Sequence, residues 1–309
     1  MKKATMACAA LLIAALSPVS AARADQRLAD EVARTGVWGN TTAGTPAVYG
    51  SGAAPCWSDV GLRASDANLS ARFKQVPLPC DFQPAGGSDA EAVVMDETGR
   101  AQRDYYEFWT MKRDPLTARW SAGWGGAADV GEMTASDGLR VWPAWMGTQA
   151  SGIAFLPGLI RTAELRAGII PHPVQLVVPY SCPTFKAPAT RTDSNAAGNP
   201  LDRCFRYGQK YKLPASVDIS KLRPVARMIA EAAKDYYVVV TDQSHDKVIW
   251  RFEGVKPGQA NPYSSPGGLF GCDGLQSGKA VASWAEYDCY PDQTALFKGF
   301  PWAQLVPVN

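Results

Sequence analysis

Tyr105-Tyr106-Glu107-Phe108-Trp109-Thr110-Met111-Lys112-Arg113 is rich in aromatic residues and long enough for a full strand, and Asp114-Pro115 ends it. Upstream, Val93-Val94-Met95 leads into Asp96-Glu97-Thr98-Gly99, a turn sequence that closes on glycine. Downstream, Arg119-Trp120-Ser121-Ala122-Gly123-Trp124 returns and Gly125-Gly126 stops it. The three runs read as an antiparallel meander.

Working outward, the strand signals continue. Apolar stretches at 142–145 and 153–160 are broken by Pro143 and Pro157. Thr162 caps a short helix over 163–167 that Gly168 ends. Val174-Gln175-Leu176-Val177-Val178 is a strand closed by Pro179, followed by a long loop over 180–210. Leu222, Val225, Ile229 and Ala232 recur at helical spacing, which predicts a helix over 220–236 capped by Ser220. Tyr237-Val238-Val239-Val240 is apolar on both faces and reads as a central strand. Val248-Ile249-Trp250-Arg251-Phe252 is expected to pair with it across 242–247. Short strands, many turns and few helices predict a mainly β chain, an antiparallel β-sandwich or jelly roll with one or two short helices. The segments are 1–24, a signal peptide; 25–83, an extended lead-in with a disulfide; and 84–309, the β-sandwich domain with a Gly/Pro-rich C-terminal extension.

The first 24 residues contain Lys2, Lys3 and Arg23 and no acid, so without them the net charge of the 309 residues falls from +2 to −1. That balance, with basic residues scattered, excludes a nucleic-acid binder of the usual basic kind. Lys2-Lys3, an apolar run over 4–16 and Ala22-Arg23-Ala24 form a secretory signal expected to be cut before Asp25. The apolar run is shorter than the roughly 20 residues a membrane helix needs, and no other such run follows. The expected location is therefore secreted or periplasmic, with no membrane span after signal removal. Cys8 leaves with the signal. Cys56, Cys80, Cys182, Cys204, Cys272 and Cys289 remain as three local couples, and the simplest pairing is 56–80, 182–204 and 272–289. No Cys-x-x-Cys spacing, phosphate loop, Gly-x-Ser-x-Gly or His-Glu-x-x-His occurs, and no metal or cofactor is expected. The run from Asp193 to Asn199 only partly imitates a calcium loop, since Ala197 stands where a ligand is needed.

Two-residue alternation puts Tyr105, Glu107, Trp109, Met111 and Arg113 on one face of the long strand. A carboxylate between aromatic rings suits a sugar cleft, where rings cover the apolar face of a pyranose and the carboxylate bonds hydroxyls or moves a proton. Glu107 is the first candidate for proton transfer, with His172 of Pro171-His172-Pro173 second. Tyr105, Trp109, Arg113, Asp89 and Trp124 are the candidate substrate-binding residues. Asp89 and Glu91 form a second carboxylate pair, and His245 reads as a solvated residue in a polar turn.

Several stretches within residues 86–253 together resemble a group of secreted bacterial proteins. These are Gly87-Ser88-Asp89, Val93-Val94-Met95-Asp96 with Thr98-Gly99, Tyr106-Glu107-Phe108-Trp109, Trp120-Ser121-Ala122-Gly123-Trp124-Gly125-Gly126, Ala150-Ser151-Gly152 with Pro157-Gly158-Leu159-Ile160, and His172. Such proteins look like concanavalin-A-like jelly rolls, a fold shared by lectins, glucanases and alginate-type lyases. The resemblance implies a carbohydrate ligand. The Glu-x-Asp-x-x-Glu strand of laminarinase-type glucanases is absent, as is the Tyr-Phe-Lys-Ala-Gly strand of the alginate lyases, so it implies no particular activity. Two function classes follow: an exported carbohydrate-binding protein, with hydrolase or lyase action on a polysaccharide as its enzymatic form, or a non-catalytic secreted or envelope protein whose aromatics are core. A secreted peptidase or esterase fits less well, with only 2 His in the chain.

Overall fold

The computed structural model describes residues 25–42, 44–128, 147–194, 199–264, 268–270 and 296–308. In chain order they form α1 (Gln26–Thr35), β1 (Val37–Asn40), β2 (Ala47–Gly50), β3 (Cys56–Ser58), β4 (Val60–Leu62), α2 (Ala67–Arg72), β5 (Val76–Leu78), β6 (Ala92–Met95), β7 (Tyr105–Trp109), β8 (Lys112–Arg113), β9 (Trp120–Ala122) and β10 (Trp124–Ala128). Then follow α3 (Thr162–Ala167), β11 (Val174–Val178), β12 (Lys210–Lys212), α4 (Pro224–Asp235), β13 (Val238–Gln243), β14 (Val248–Arg251) and β15 (Val306–Val308). The chain is mainly β, and the described residues hold four α-helices where the sequence suggests one or two.

A six-stranded sheet runs in the order β1-β14-β11-β13-β12-β15, and a four-stranded sheet in the order β10-β7-β6-β2. The meander β6-β7-β10 is antiparallel throughout. Antiparallel pairing is not general, however: β1 with β14, β11 with β13, β2 with β6 and β4 with β9 run parallel. Parallel neighbours need long crossovers, and the one from β11 to β13 carries β12 and α4.

The expected β13–β14 hairpin does not form. β11 lies between them, parallel to β13 and antiparallel to β14. All five residues of β11 are buried, so it takes the centre of the sheet, where an apolar strand loses most contact with water. The connection over 244–247 must then pass the end of β11. Ser244 N donates to Val178 O (2.8 Å) and His245 N to Pro179 O (3.1 Å) as it does so.

The run 105–113 is likewise not one strand. Thr110 has φ +49, a left-handed conformation that a β-branched residue rarely adopts. It is held by Thr110 N donating to Asp89 O and by the Arg63 guanidinium donating to Thr110 O and Oγ1. Beyond this break, β8 joins β9 and β4 in a separate small sheet.

Two apolar clusters result. One packs α1, α3 and α4 with the six-stranded sheet and the aromatics of 296–305. In it, Trp250 is fully buried and stacks on Trp302 with ring centroids 5.2 Å apart. The other packs α2, β4 and β5 against the four-stranded sheet, with Phe73 on Phe108 at 5.0 Å. Residues 25–83, read from sequence as an extended lead-in, are divided between both: Leu28 and Val37 belong to the first cluster, Val60, Leu69, Phe73, Val76 and Leu78 to the second.

Cys56 bonds Cys80 and Cys182 bonds Cys204, 24 and 22 residues apart in sequence. Loops of that length give each bridge about 3 kcal/mol by loop-closure entropy. The expected 272–289 pair and the signal segment 1–24 lie outside the described residues. Among the described residues no helix is long and apolar enough to cross a membrane.

Candidate functional site

The two clusters meet along a cleft of about 690 Å³, a size typical of small-molecule sites. One wall is the face of the six-stranded sheet. Strand register sets Ile249 of β14 beside Val177 of β11, and Val177 beside Asp242 of β13. Two residues further along β14, on the same face, Arg251 lies beside Asn40 of β1. All five line the cleft. Val248 and Trp250, on the alternate face of β14, go into the core.

The other wall comes from the four-stranded sheet. Trp109 ends β7 and Trp124 begins β10, and they are direct partners in the antiparallel register. Side chains so paired lie side by side. Their indole nitrogens are both anchored: Trp109 Nε1 donates to Asp89 Oδ1 (3.3 Å) and Trp124 Nε1 to Gly147 O (3.2 Å). Trp109 is 40% exposed. The turn at 147–152 is tight, and a Cβ on Gly147 would fall 1.8 Å from Gly152 O. Its carbonyls also receive Arg191, whose Nη2 donates to Gly147 O (2.7 Å) and Gln149 O (2.9 Å) while the guanidinium lies 5.3 Å from the Trp124 ring centre.

At the floor, Arg251 is 4% exposed. It donates to Asp242 Oδ2 (2.9 Å) and Gly44 O (2.8 Å) and lies over the Phe155 ring. Its Nη1 is 3.8 Å from Glu91 Oε2, too long for a hydrogen bond, and that oxygen is buried without a hydrogen-bond partner. Burial pushes the Glu91 carboxyl up to about 8; Arg251 opposes the shift, and Asp242, Asp89 and Glu107 add to it. Burial thus favours the protonated, neutral form of Glu91. Burial also raises Asp242, against the pull of Arg251. Burial lowers Arg191, against Asp242 and Asp193.

The crossing loop supplies His245. The Gln243 side-chain oxygen accepts from Ser181 N, Ser181 Oγ and Asn199 Nδ2, which fixes the amide orientation. Its Nε2 then donates to the His245 ring, closest at Nδ1 (2.7 Å).

Of the residues singled out from the sequence, Asp89, Trp109 and Trp124 line this cleft. Glu107 and Tyr105 do not face it as alternation suggested. Both are buried, because the four-stranded sheet is covered on both faces and period-two alternation no longer separates core from surface. Glu107 accepts from Thr148 Oγ1 (3.0 Å) and Leu156 N (2.9 Å), one layer behind the cleft-lining Thr148. Arg113 is carried away by the break at Thr110 and lies over Trp120, donating to Ala118 O. His172 is held elsewhere, between Pro173 O (2.7 Å) and the Glu164 carboxylate (3.1 Å). Glu107 and His172, the two candidates for proton transfer, thus both lie outside the cleft. Among the described residues no cluster of His, Cys, Asp and Glu could hold a metal ion. Compared with known proteins, the chain matches no family model, no curated protein and no solved structure.

Proposed function

We propose that this is an exported carbohydrate-binding protein that holds a segment of polysaccharide in the cleft between its two clusters. The observation that carries the reading is the pair Trp109 and Trp124: adjacent, anchored by their N–H groups, and lining an open cleft that also presents carboxyl, amide and guanidinium groups. Anchored indoles can stack on the apolar face of a sugar ring while the polar groups bond its hydroxyls. The resemblance to carbohydrate-binding jelly rolls points to the same ligand class, and the two disulfides are compatible with an exported chain. Trp109→Ala should weaken binding of a matching oligosaccharide by about 1–3 kcal/mol, by analogy with base stacking on aromatic residues. Titration calorimetry after a glycan-array screen measures this. Unchanged affinity in a folded Trp109→Ala variant would remove the platform and leave the non-catalytic envelope reading in front.

A second reading, in which the bound chain is also cleaved, is favoured by Glu91. A neutral carboxylic acid at the floor of a sugar cleft can protonate a glycosidic oxygen, and Asp242, paired with Arg251, is a second carboxyl group lining the same cleft. Glycan release should then fall as pH rises through about 8, where Glu91 loses its proton, and should vanish in Glu91→Gln. A rate that rises across that window would exclude Glu91 as the acid.

A further inference from the structure

We propose that the cleft selects saccharides carrying amino groups and turns away uronates; this rests on the saccharide reading of the same cleft. Its charged lining is unevenly paired. Asp242 is matched by Arg251 at 2.9 Å, and Asp246 by Lys247 at 3.4 Å. Asp89 and Asp193 make no ion pair among the described residues: Asp89 accepts from the Trp109 indole (3.3 Å) and Asp193 from the Tyr207 hydroxyl (2.9 Å), both neutral donors. Among the described lining residues Arg191 is the one remaining Arg or Lys, set against these two carboxylates.

Donor supply points the same way. A uronate needs N–H groups free to grip its carboxylate, preferably as a bidentate fork. Arg191 turns Nε and Nη2 to the carbonyls of Ala150, Gly147 and Gln149, and Arg251 turns Nη1 and Nη2 to Gly44 O and Asp242, leaving its buried Nε, a single N–H that cannot make a fork by itself, without a hydrogen-bond partner. An ammonium group finds the reverse. The Asp89 carboxylate stands at the N–H edge of the exposed Trp109 ring, where an ammonium gains an ion pair. Glu91 Oε2, buried at the floor of the cleft and without a hydrogen-bond partner, is a polar atom that a group on the ligand can satisfy.

The test is calorimetry on the mature protein at pH 7 with four oligomers of matched length: glucosamine, N-acetylglucosamine, uronate and lysine. We expect the glucosamine oligomer to bind about tenfold tighter than its N-acetylated form at low salt, which is ~1.4 kcal/mol. That advantage should shrink at high ionic strength, as partly exposed charges are screened. Asp89→Asn, which retains the oxygen that accepts from Trp109, should narrow the difference to within about threefold. Uronate binding as tight as that of the N-acetylated oligomer, or no preference for the amine, overturns the proposal while leaving the saccharide reading intact. Equal affinity for the lysine oligomer would show that the cleft reads charge on a peptide, and also overturns it. If none of the saccharides binds, the saccharide reading itself falls.

Discussion

Replacing Arg251 with Ala should destabilise the protein by about 3–5 kcal/mol, the usual loss when one partner of a buried ion pair is removed. Arg251 is 4% exposed, donates to Asp242 and Gly44 O, and is the nearest cation to Glu91. Without it, Asp242 loses the only opposing charge within salt-bridge distance among the described residues. The carboxyl then either stays ionised without a partner or takes up a proton, and both cost free energy at neutral pH. The deficit should therefore grow with pH as Asp242 and Glu91 are forced to ionise. Asp242→Asn in the same background should recover part of the loss, since it removes the stranded charge, and a double-mutant cycle by urea unfolding isolates that coupling. A loss below about 1 kcal/mol for Arg251→Ala would mean that water reaches the group and that the floor of the cleft is wet.

The strands of the core were legible from the sequence because a buried strand is a short apolar run bounded by turn residues. Val93–Met95, Val174–Val178 and the valines of β13 all read that way, and β13 does lie inside its sheet. Pairing was less legible. The hairpin expected between β13 and β14 rests on closeness in sequence, and nothing local reveals that a strand some 60 residues upstream will insert between them. α1 was missed for another reason. It buries Glu31, which Arg203 holds at 2.8 Å across a long separation in sequence, so one position of its inner face reads as polar until that partner is known.

The site divides along the same line. Trp109 and Trp124 belong to a contiguous meander and Asp89 lies just before it, and local reading reached them. Asp242, Arg251, Arg191 and His245 come from strands and loops that only the sheet order brings together. One signal was present: Ile249 and Arg251 alternate with Val248 and Trp250, so a charged residue at a strand end shares the face opposite the core residues. Glu107 shows the converse failure. Period-two alternation assigns a face, but it does not say whether that face is open, and here the turn over 147–156 closes it through Thr148 and Leu156.

Wild-type protein should lose stability as pH rises from about 5 to about 8, and Glu91→Gln should flatten that slope. The folded Glu91 carboxyl is pushed up from 4.5 to about 8, by burial first. In that window the folded state keeps a proton that the unfolded chain has released, so raising the pH favours unfolding. At about 1.4 kcal/mol per pKa unit, the loss from Glu91 alone is at most about 5 kcal/mol. Glu107 and Asp242, also raised by burial, act with the same sign. Asp25 and Asp96 act at the other end: burial would raise them, but hydrogen bonds from Arg27 and from Thr98 hold them low, so their contribution disappears only as pH falls below the usual carboxylate range. The stability maximum should therefore lie near pH 5, lower than for most proteins. Gln keeps the size of the side chain and removes the titration, so the Glu91→Gln variant should gain on wild type steadily towards pH 8. Urea midpoints taken at intervals from pH 4 to pH 9 give both curves. If the two run parallel between pH 5 and pH 8, Glu91 is ionised in the folded protein, and the neutral acid at the floor of the cleft is lost along with its proposed role in cleavage.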